Sequence, residues 1–312
     1  MPATHPALQE DVVPGSLRAW AVAVRPRTLW IAAIPVIVGT CLAWMQGAAI
    51  EPWVAALAFA GSILMQVITN LQNDVGYTAR GLEKGSRTGL PRATARGWLT
   101  PEEVRRAIVA ATGAALVVGA PLVMRGGWPV LAIGLASLVA ALAYMGGPRP
   151  IAYTALGELT VFAFFGLAAV LGTYYLHAGR PGLTAWLGAA ATGLHAAAVL
   201  AVNNHRDAEH DRLTGRGTFA ARFGAAASAR LFAFALWTPF ALAAAMAALA
   251  SSPGLALPLV LVPVAMRLGG DFARSPGGAA YNELLFRAVK LELAFGAALS
   301  LGAVAQRLLQ GA

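Results

Sequence analysis

The sequence predicts an all-α fold, a polytopic membrane bundle of nine transmembrane helices, and three observations carry that expectation. Apolar residues make up 58% of the 312-residue chain, and mean hydropathy is +0.65. Charged residues are only 12%, against about 25% in an average soluble domain. Nine apolar stretches are each long enough, at about 20 residues, to cross a hydrocarbon core about 30 Å thick.

Residues 1–27 hold Pro2, Pro6 and Pro14 but no apolar run after a basic start. They read as a short cytoplasmic lead-in and not as a cleaved signal peptide. The first span, 28–46, carries the single cysteine, Cys41; a lone cysteine excludes an intrachain disulfide and reads as a small packing residue. The second span, 53–73, ends in Asn70-Leu71-Gln72-Asn73-Asp74 and opens a loop near 74–103. Spans 104–124, 128–145 and 155–177 follow, then 183–203, which runs into Asn203-Asn204-His205-Arg206-Asp207-Ala208-Glu209-His210-Asp211 and a second loop near 204–225. Spans 226–249, 253–270 and 289–309 complete a single transmembrane domain over 28–312. All nine are rich in Ala and Gly, which lets helix backbones approach closely where lipid offers little hydrophobic force for association.

Basic residues give the orientation, because short cytoplasmic loops retain Lys and Arg. With a cytoplasmic N-terminus, all but Arg125, Arg180 and Arg307 of the 23 Lys and Arg residues fall on the inner side. Both polar segments then close even-numbered spans at the cytoplasmic face, where they can face one another across a shared cavity. The same asymmetry accounts for the net charge of +9 without a nucleic-acid partner.

The two polar segments carry the chemistry. Asp207 and Asp211 are spaced i, i+4, which puts both carboxylates on one helix face. Two such groups repel unless a cation lies between them. Hard oxygen ligands select Mg²⁺, which commonly completes its shell with water and substrate phosphates. Taken alone, the spacing favours a solvated cluster in which the aspartates pair with Arg206 and Arg212. Asn203 and Asn204 favour the cavity reading, since amides at the end of an apolar run are costly unless they face one. In the first segment, Asn70, Asn73 and Asp74 lie at the same depth, followed by Arg80, Lys84, Arg87, Arg92 and Arg96. Guanidinium forks match phosphate oxygens and Lys adds a point charge, so the set looks like a diphosphate cradle. Retention by loop topology explains part of it.

In these segments the chain resembles the UbiA superfamily of intramembrane aromatic prenyltransferases, and within it the branch that acts on 1,4-dihydroxy-2-naphthoate. The likeness runs from Arg25-Pro26-Arg27-Thr28-Leu29 through Asn70 to Glu83, Arg87 to Arg92, Gly146-Gly147-Pro148-Arg149-Pro150, Leu156-Gly157-Glu158, Phe162 to Tyr175 and Asn203 to Asp211, to Thr218–Gly224. It implies a central cavity open sideways to membrane lipid and capped by the two motif loops. It implies Mg²⁺ as cofactor, polyprenyl diphosphate as donor and 1,4-dihydroxy-2-naphthoate as acceptor, alkylated with loss of CO₂ in menaquinone biosynthesis at the cell membrane.

Carried over by position, metal ligation falls on Asn73, Asp74, Glu83, Asp207 and Asp211. Diphosphate binding falls on Asn70, Lys84, Arg87, Arg92, Asn203 and Arg216, and catalysis on Asp74, Asp207 and Asp211. Glu158, an acid within an apolar run, either orients or deprotonates the acceptor or makes an interhelical hydrogen bond. Phe162, Phe164, Phe165, Tyr174 and Tyr175 are candidates to shield an allylic cation. His205 and His210 are candidate proton acceptors but read first as motif-loop residues with no chemical role.

The chain also departs from the family pattern. Tyr77 stands at the second aspartate position of the first motif and Glu83 at the later one, Arg216 replaces the usual Lys, and Leu90-Pro91 replaces Gly-Pro. The loss of a ligand charge at Tyr77 leaves two alternatives: another acceptor such as 4-hydroxybenzoate or homogentisate, or a silent isoprenoid-binding scaffold. A transporter is disfavoured, because no polar track crosses the spans.

Overall fold

Proline and serine set the first junction. Ser16 caps α1 (Leu17–Val24) by accepting from the Ala19 amide at 3.3 Å, one of the orphan donors of a helix start. Pro26 disfavours helical geometry in the residue before it. Arg25 accordingly adopts the left-handed conformation (φ 56°), and α2 (Pro26–Met45) restarts with proline in its first turn. The expected lead-in is thus partly a short helix, whose exposed Leu17 points away from the bundle. The computed structural model describes residues 12–82, 89, 91–275 and 277–311.

The chain continues with α3 (Pro52–Ala79), α4 (Pro101–Ala143), α5 (Gly157–Val161), a π-helical run (Phe162–Leu171) and α6 (Gly172–Ala178). Then come α7 (Leu183–Leu213), α8 (Phe219–Leu249), a 3₁₀ run (Pro253–Leu261), α9 (Val262–Arg274) and α10 (Ala280–Gly311). At 43 residues, α4 is about twice the length that a bilayer needs. Gly127 breaks it (φ 69°, ψ −154°), and Ile108 and Ala115 before the break join Leu138 and Ala141 after it in one apolar cluster. This one element therefore supplies the two expected spans 104–124 and 128–145, while α5, the π run and α6 form a single span, Gly157–Ala178.

Both polar segments are more helical than expected. The first lies wholly on α3, which continues to Ala79, and the second on α7, which continues to Leu213. The expected loop 204–225 shrinks to 214–218. Thr100 and Glu103 close the other end of the first loop with a reciprocal capping box at the start of α4.

Two apolar clusters organise the interior. One gathers α2, α7, α8 and α10 around Leu42, Phe232, Leu236 and Phe295; the other joins α1, α3 and α4 around Ile68, Leu71 and Val104. The π run and α7 touch backbone to backbone: a Cβ on Gly166 would fall 2.5 Å from Ala189 O, and one on Gly193 would fall 2.7 Å from Phe162 O. Glycine permits this approach, as small residues do between helices in lipid. Outward-facing Leu116, Val117, Met124, Trp128 and Val139 remain exposed, a belt that water would penalise and lipid solvates. This is a multi-pass membrane protein.

A polar-ended cavity as candidate active site

A cavity of about 760 Å³ runs between the clusters, lined by Ile31 and Val199 on one side and by Ala115 and Leu138 on the other. Its body is apolar, with Phe164, Phe165, Ala168 and Ala169 of the π run on the wall. Long π segments are uncommon and often sit at functional sites. Its far end is polar. Arg25, Arg27, Arg92, Arg206 and Arg216 line it with Asn70, Asn73, Asn203, Asn204, Thr28 and Tyr77, and no Asp or Glu is among the described lining residues.

The expected carboxylates stand one layer behind this wall. Asp74 is fully buried: its Oδ2 accepts from the Ala93 amide at 2.8 Å, and its Oδ1 accepts from the Thr94 amide at 2.9 Å and from Thr94 Oγ1 at 2.6 Å. Both oxygens accept hydrogen bonds from the loop, and through them Asp74, expected as a metal ligand and catalytic group, pins the segment that presents Arg92. Asp207 is held by a guanidinium fork, with Arg206 Nε 2.7 Å from Oδ1 and Nη2 2.7 Å from Oδ2. Arg206 also donates to Asn203 Oδ1 at 2.9 Å and to Asn282 Oδ1 at 2.6 Å. Asp211 accepts from Arg216 Nη1 at 2.5 Å and from Thr218 Oγ1 at 3.0 Å, and Thr218 also caps α8. Each aspartate and its arginine make a buried, neutral pair, a form in which charge is tolerated in a dry interior. Burial works against the Arg216 charge, but neighbouring Tyr77 and Asp211 outweigh it and its pKa lies above the ordinary value.

The amides divide by task. Asn70 donates to Val24 O at 2.7 Å and to Thr28 Oγ1 at 3.1 Å, tying α3 to the junction that aims Arg25 and Arg27 at the cavity. Asn73 Oδ1 is buried without a hydrogen-bond partner on the cavity wall. Glu158 is buried and accepts from Asn204 Nδ2 at 3.0 Å. Of the two readings of Glu158, the structure displays the interhelical hydrogen bond, and it is Asn204 that reaches the cavity.

Among the described residues no three Asp, Glu, His or Cys side chains converge. A hard cation would draw on Asp207 and Asp211, one turn apart on α7, on Asn73 Oδ1, and on water and substrate oxygens, the usual completion of a Mg²⁺ shell. Holding one such ion would require Asp207 and Asp211 to release the arginines that pair with them. The remaining expected ligand, Glu83, lies outside the described residues, as do Lys84 and Arg87. Phe162, Tyr174 and Tyr175 are not on the described wall. His205 packs against Phe272 and Tyr281, and His210 Nε2 lies 2.9 Å from Leu82 O.

Sequence reasoning passed over Arg206 as a surface pair and gave Arg25 and Arg27 no role. An arginine directly before a helix-starting proline was the signal for Arg25.

The sequence profile of the UbiA prenyltransferase family matches residues 32–286. The chain belongs to that family. As a UbiA member it is 39% identical over 213 residues to the 1,4-dihydroxy-2-naphthoate octaprenyltransferase of Escherichia coli, covering 66% of this chain and 69% of that one. It is 33% identical over 264 residues to the protein of the same name in Mycobacterium tuberculosis, covering 84% and 89%. In shape this UbiA member matches a UbiA homologue from Archaeoglobus fulgidus bound to DMAPP and Mg²⁺, with a TM-score of 0.64 over 91% of this chain and 99% of that one. At 14% identity that likeness speaks for the fold alone.

Proposed function

We propose that the protein transfers a polyprenyl group from polyprenyl diphosphate to 1,4-dihydroxy-2-naphthoate, with loss of CO₂ and diphosphate, to give the demethylmenaquinol of menaquinone biosynthesis. One observation carries the reading. Five arginines and four asparagines close one end of an apolar cavity in a chain whose relatives bear the name of that reaction. A diphosphate suits the first feature and an isoprenoid tail the second.

The residues divide the work. Arg92, Arg206 and Arg216 meet the diphosphate, and Arg25 and Arg27 add charge from the α1–α2 junction. Guanidinium groups bind phosphate oxygens through paired donors. Fixed before reaction, they stabilise the charge that accumulates on the leaving diphosphate as the allylic C–O bond breaks. Asp207, Asp211 and Asn73 are the residues that would hold Mg²⁺, which when bound would supply further positive charge to the leaving diphosphate. The apolar body keeps water from quenching the allylic cation, and the Phe164 and Phe165 rings offer it π faces. The acceptor ring then attacks through the carbon that bears its carboxylate, and CO₂ departs with the bonding electrons returning to the ring. Asn203 and Asn204 are the wall amides placed to orient the acceptor's oxygens, with Glu158 as the positioning residue behind Asn204.

The basic residues at the polar end support a cytoplasmic N-terminus and a cytoplasmic active-site face, in the cell's own membrane.

The test is mass spectrometry of products from purified protein in lipid, given 1,4-dihydroxy-2-naphthoate and polyprenyl diphosphates of several lengths, with Mg²⁺ or with EDTA. A prenylated, decarboxylated naphthoquinol formed only with Mg²⁺ is the expected result. Prenylation of 4-hydroxybenzoate or homogentisate instead would refute the acceptor, and no product from any acceptor would refute the enzyme.

A further inference from the structure

Two anions share the polar end of the cavity in the reaction proposed above, the donor's diphosphate and the acceptor's own carboxylate. Like charges repel, so each needs positive charge of its own. The five lining arginines differ in setting. Arg206 and Arg216 are each ion-paired with an aspartate, at 2.7 and 2.5 Å, and Arg92 and Arg216 gather over the Tyr77 ring of α3, with Cζ 4.0 and 5.0 Å from its centroid. Arg27 stands apart from this group. It is the one exposed arginine among the described lining residues, and no described side chain pairs with it through an ion pair or a hydrogen bond. Its Cζ lies 5.9 Å from the ring centroid of Phe286 on α10. Phe286 lines the cavity too, with Leu285 and Val289 of the same helix and Thr28 and Ile31 of α2.

We propose that Arg27 and Phe286 form the binding site for the acceptor's aromatic carboxylate, with the guanidinium on the carboxylate and the phenyl ring against the fused rings. The proposal rests on the acceptor reading above and deepens it by naming the residues that hold that acceptor. A naphthoate is a flat apolar body with one anionic edge, and each half has its counterpart here. A carboxylate accepts paired N–H donors from a guanidinium, and aromatic rings pack offset or edge to face. The isoprenoid tail carries no charge and the diphosphate meets Arg92, Arg206 and Arg216, so the carboxylate is the remaining anion of the reaction. The exposure of Arg27 suits a contact that has to be given up. An exposed ion pair adds about fivefold in affinity at most, and the group it holds is the one that leaves as CO₂. The product keeps the rings but has no carboxylate, so the residue that favours the substrate does not retain the product.

The experiment measures binding of 1-hydroxy-2-naphthoate and of 1-naphthol, which lacks the carboxylate, by calorimetry on purified protein in phosphatidylcholine nanodiscs, with the heats from empty nanodiscs subtracted. No donor is present, so no turnover intervenes. Wild type is expected to bind the naphthoate about fivefold more tightly than the naphthol at low salt, and the preference should shrink as salt rises. Arg27→Gln should abolish the preference by weakening the naphthoate alone, whereas Arg27→Lys keeps the charge and should retain part of it. Phe286→Leu should weaken both probes alike, by about fivefold. Because Arg27 is exposed, its variants keep the test open where Phe286→Leu folds poorly. Equal affinity of wild type for the two probes, or a preference that survives in Arg27→Gln, would overturn the proposal alone. An effect of Arg27→Gln confined to geranyl S-thiolodiphosphate, a donor analogue that resists ionisation, would assign the residue to the diphosphate and overturn it as well. Failure of wild type to bind either probe would overturn the acceptor reading and the proposal with it.

Discussion

Asp74→Asn distinguishes a carboxylate that holds a loop from one that holds a cation. The native side chain accepts hydrogen bonds from the Ala93 amide, the Thr94 amide and Thr94 Oγ1 at 2.8, 2.9 and 2.6 Å, with no solvent exposure. An amide keeps one acceptor oxygen and turns the other position into a donor facing an N–H. One charge-assisted hydrogen bond worth about 1.5–3 kcal/mol is lost, and a buried N–H left unsatisfied costs about 1–3 kcal/mol more. Local stability therefore falls by on the order of 3 kcal/mol, which is about a hundredfold in the opening equilibrium. Hydrogen-exchange mass spectrometry of peptides covering 91–99 reads this directly. Exchange there should quicken by that factor while protection within α3 stays unchanged, and the displaced Arg92 should weaken binding of a donor analogue even in EDTA. Unchanged exchange together with a raised Mg²⁺ requirement would refute the pinning role and restore Asp74 as a ligand.

Asp207→Ala and Asp211→Ala should abolish product formation by mass spectrometry, and each should also lower the melting temperature by stranding a buried arginine, a loss of about 3–5 kcal/mol; near-normal turnover in either would remove the paired carboxylates from the site. Glu158→Gln keeps an acceptor for Asn204 and should leave kcat/KM within a few-fold of wild type, whereas Glu158→Leu should raise KM for the acceptor. Loss of turnover in Glu158→Gln with unchanged acceptor KM would make the carboxylate a proton acceptor. Gly193→Ala inserts a methyl group against the π-run backbone and should cost about 1–3 kcal/mol, measured as a lower melting temperature in detergent. Gly134 lines the cavity with open space where its Cβ would stand, so Gly134→Phe should fold normally and shift donor preference toward shorter chains; an unaltered chain-length profile would place the tail elsewhere.

Much of this protein was legible before any coordinates. Chain hydropathy and about 20 residues per span dictate a bundle, because a backbone in lipid must satisfy its hydrogen bonds within each helix. The polar segments at 70–74 and 203–211 announced themselves by their cost at the ends of apolar runs, and both reach one cavity. Helix ends were less visible. The loop expected near 204–225 shrinks because Asn203 to Asp211 continue α7, in keeping with the i, i+4 spacing of Asp207 and Asp211, with buried arginines and threonine as partners of the two aspartates. The side of the wall on which each group stands was not legible at all. Sequence position assigns Asp74, Asp207 and Asp211 the same kind of role, but whether a carboxylate meets ligand, arginine or loop amide depends on what other segments bring against it. Ala93, Thr94 and Arg206 decide that here. Composition and spacing determined the membrane bundle, the placement of its polar ends and the residue types of its chemistry. Only the tertiary structure decided that guanidinium and amide groups face the cavity while carboxylates stand behind them, because that order is set by contacts between residues far apart in the chain.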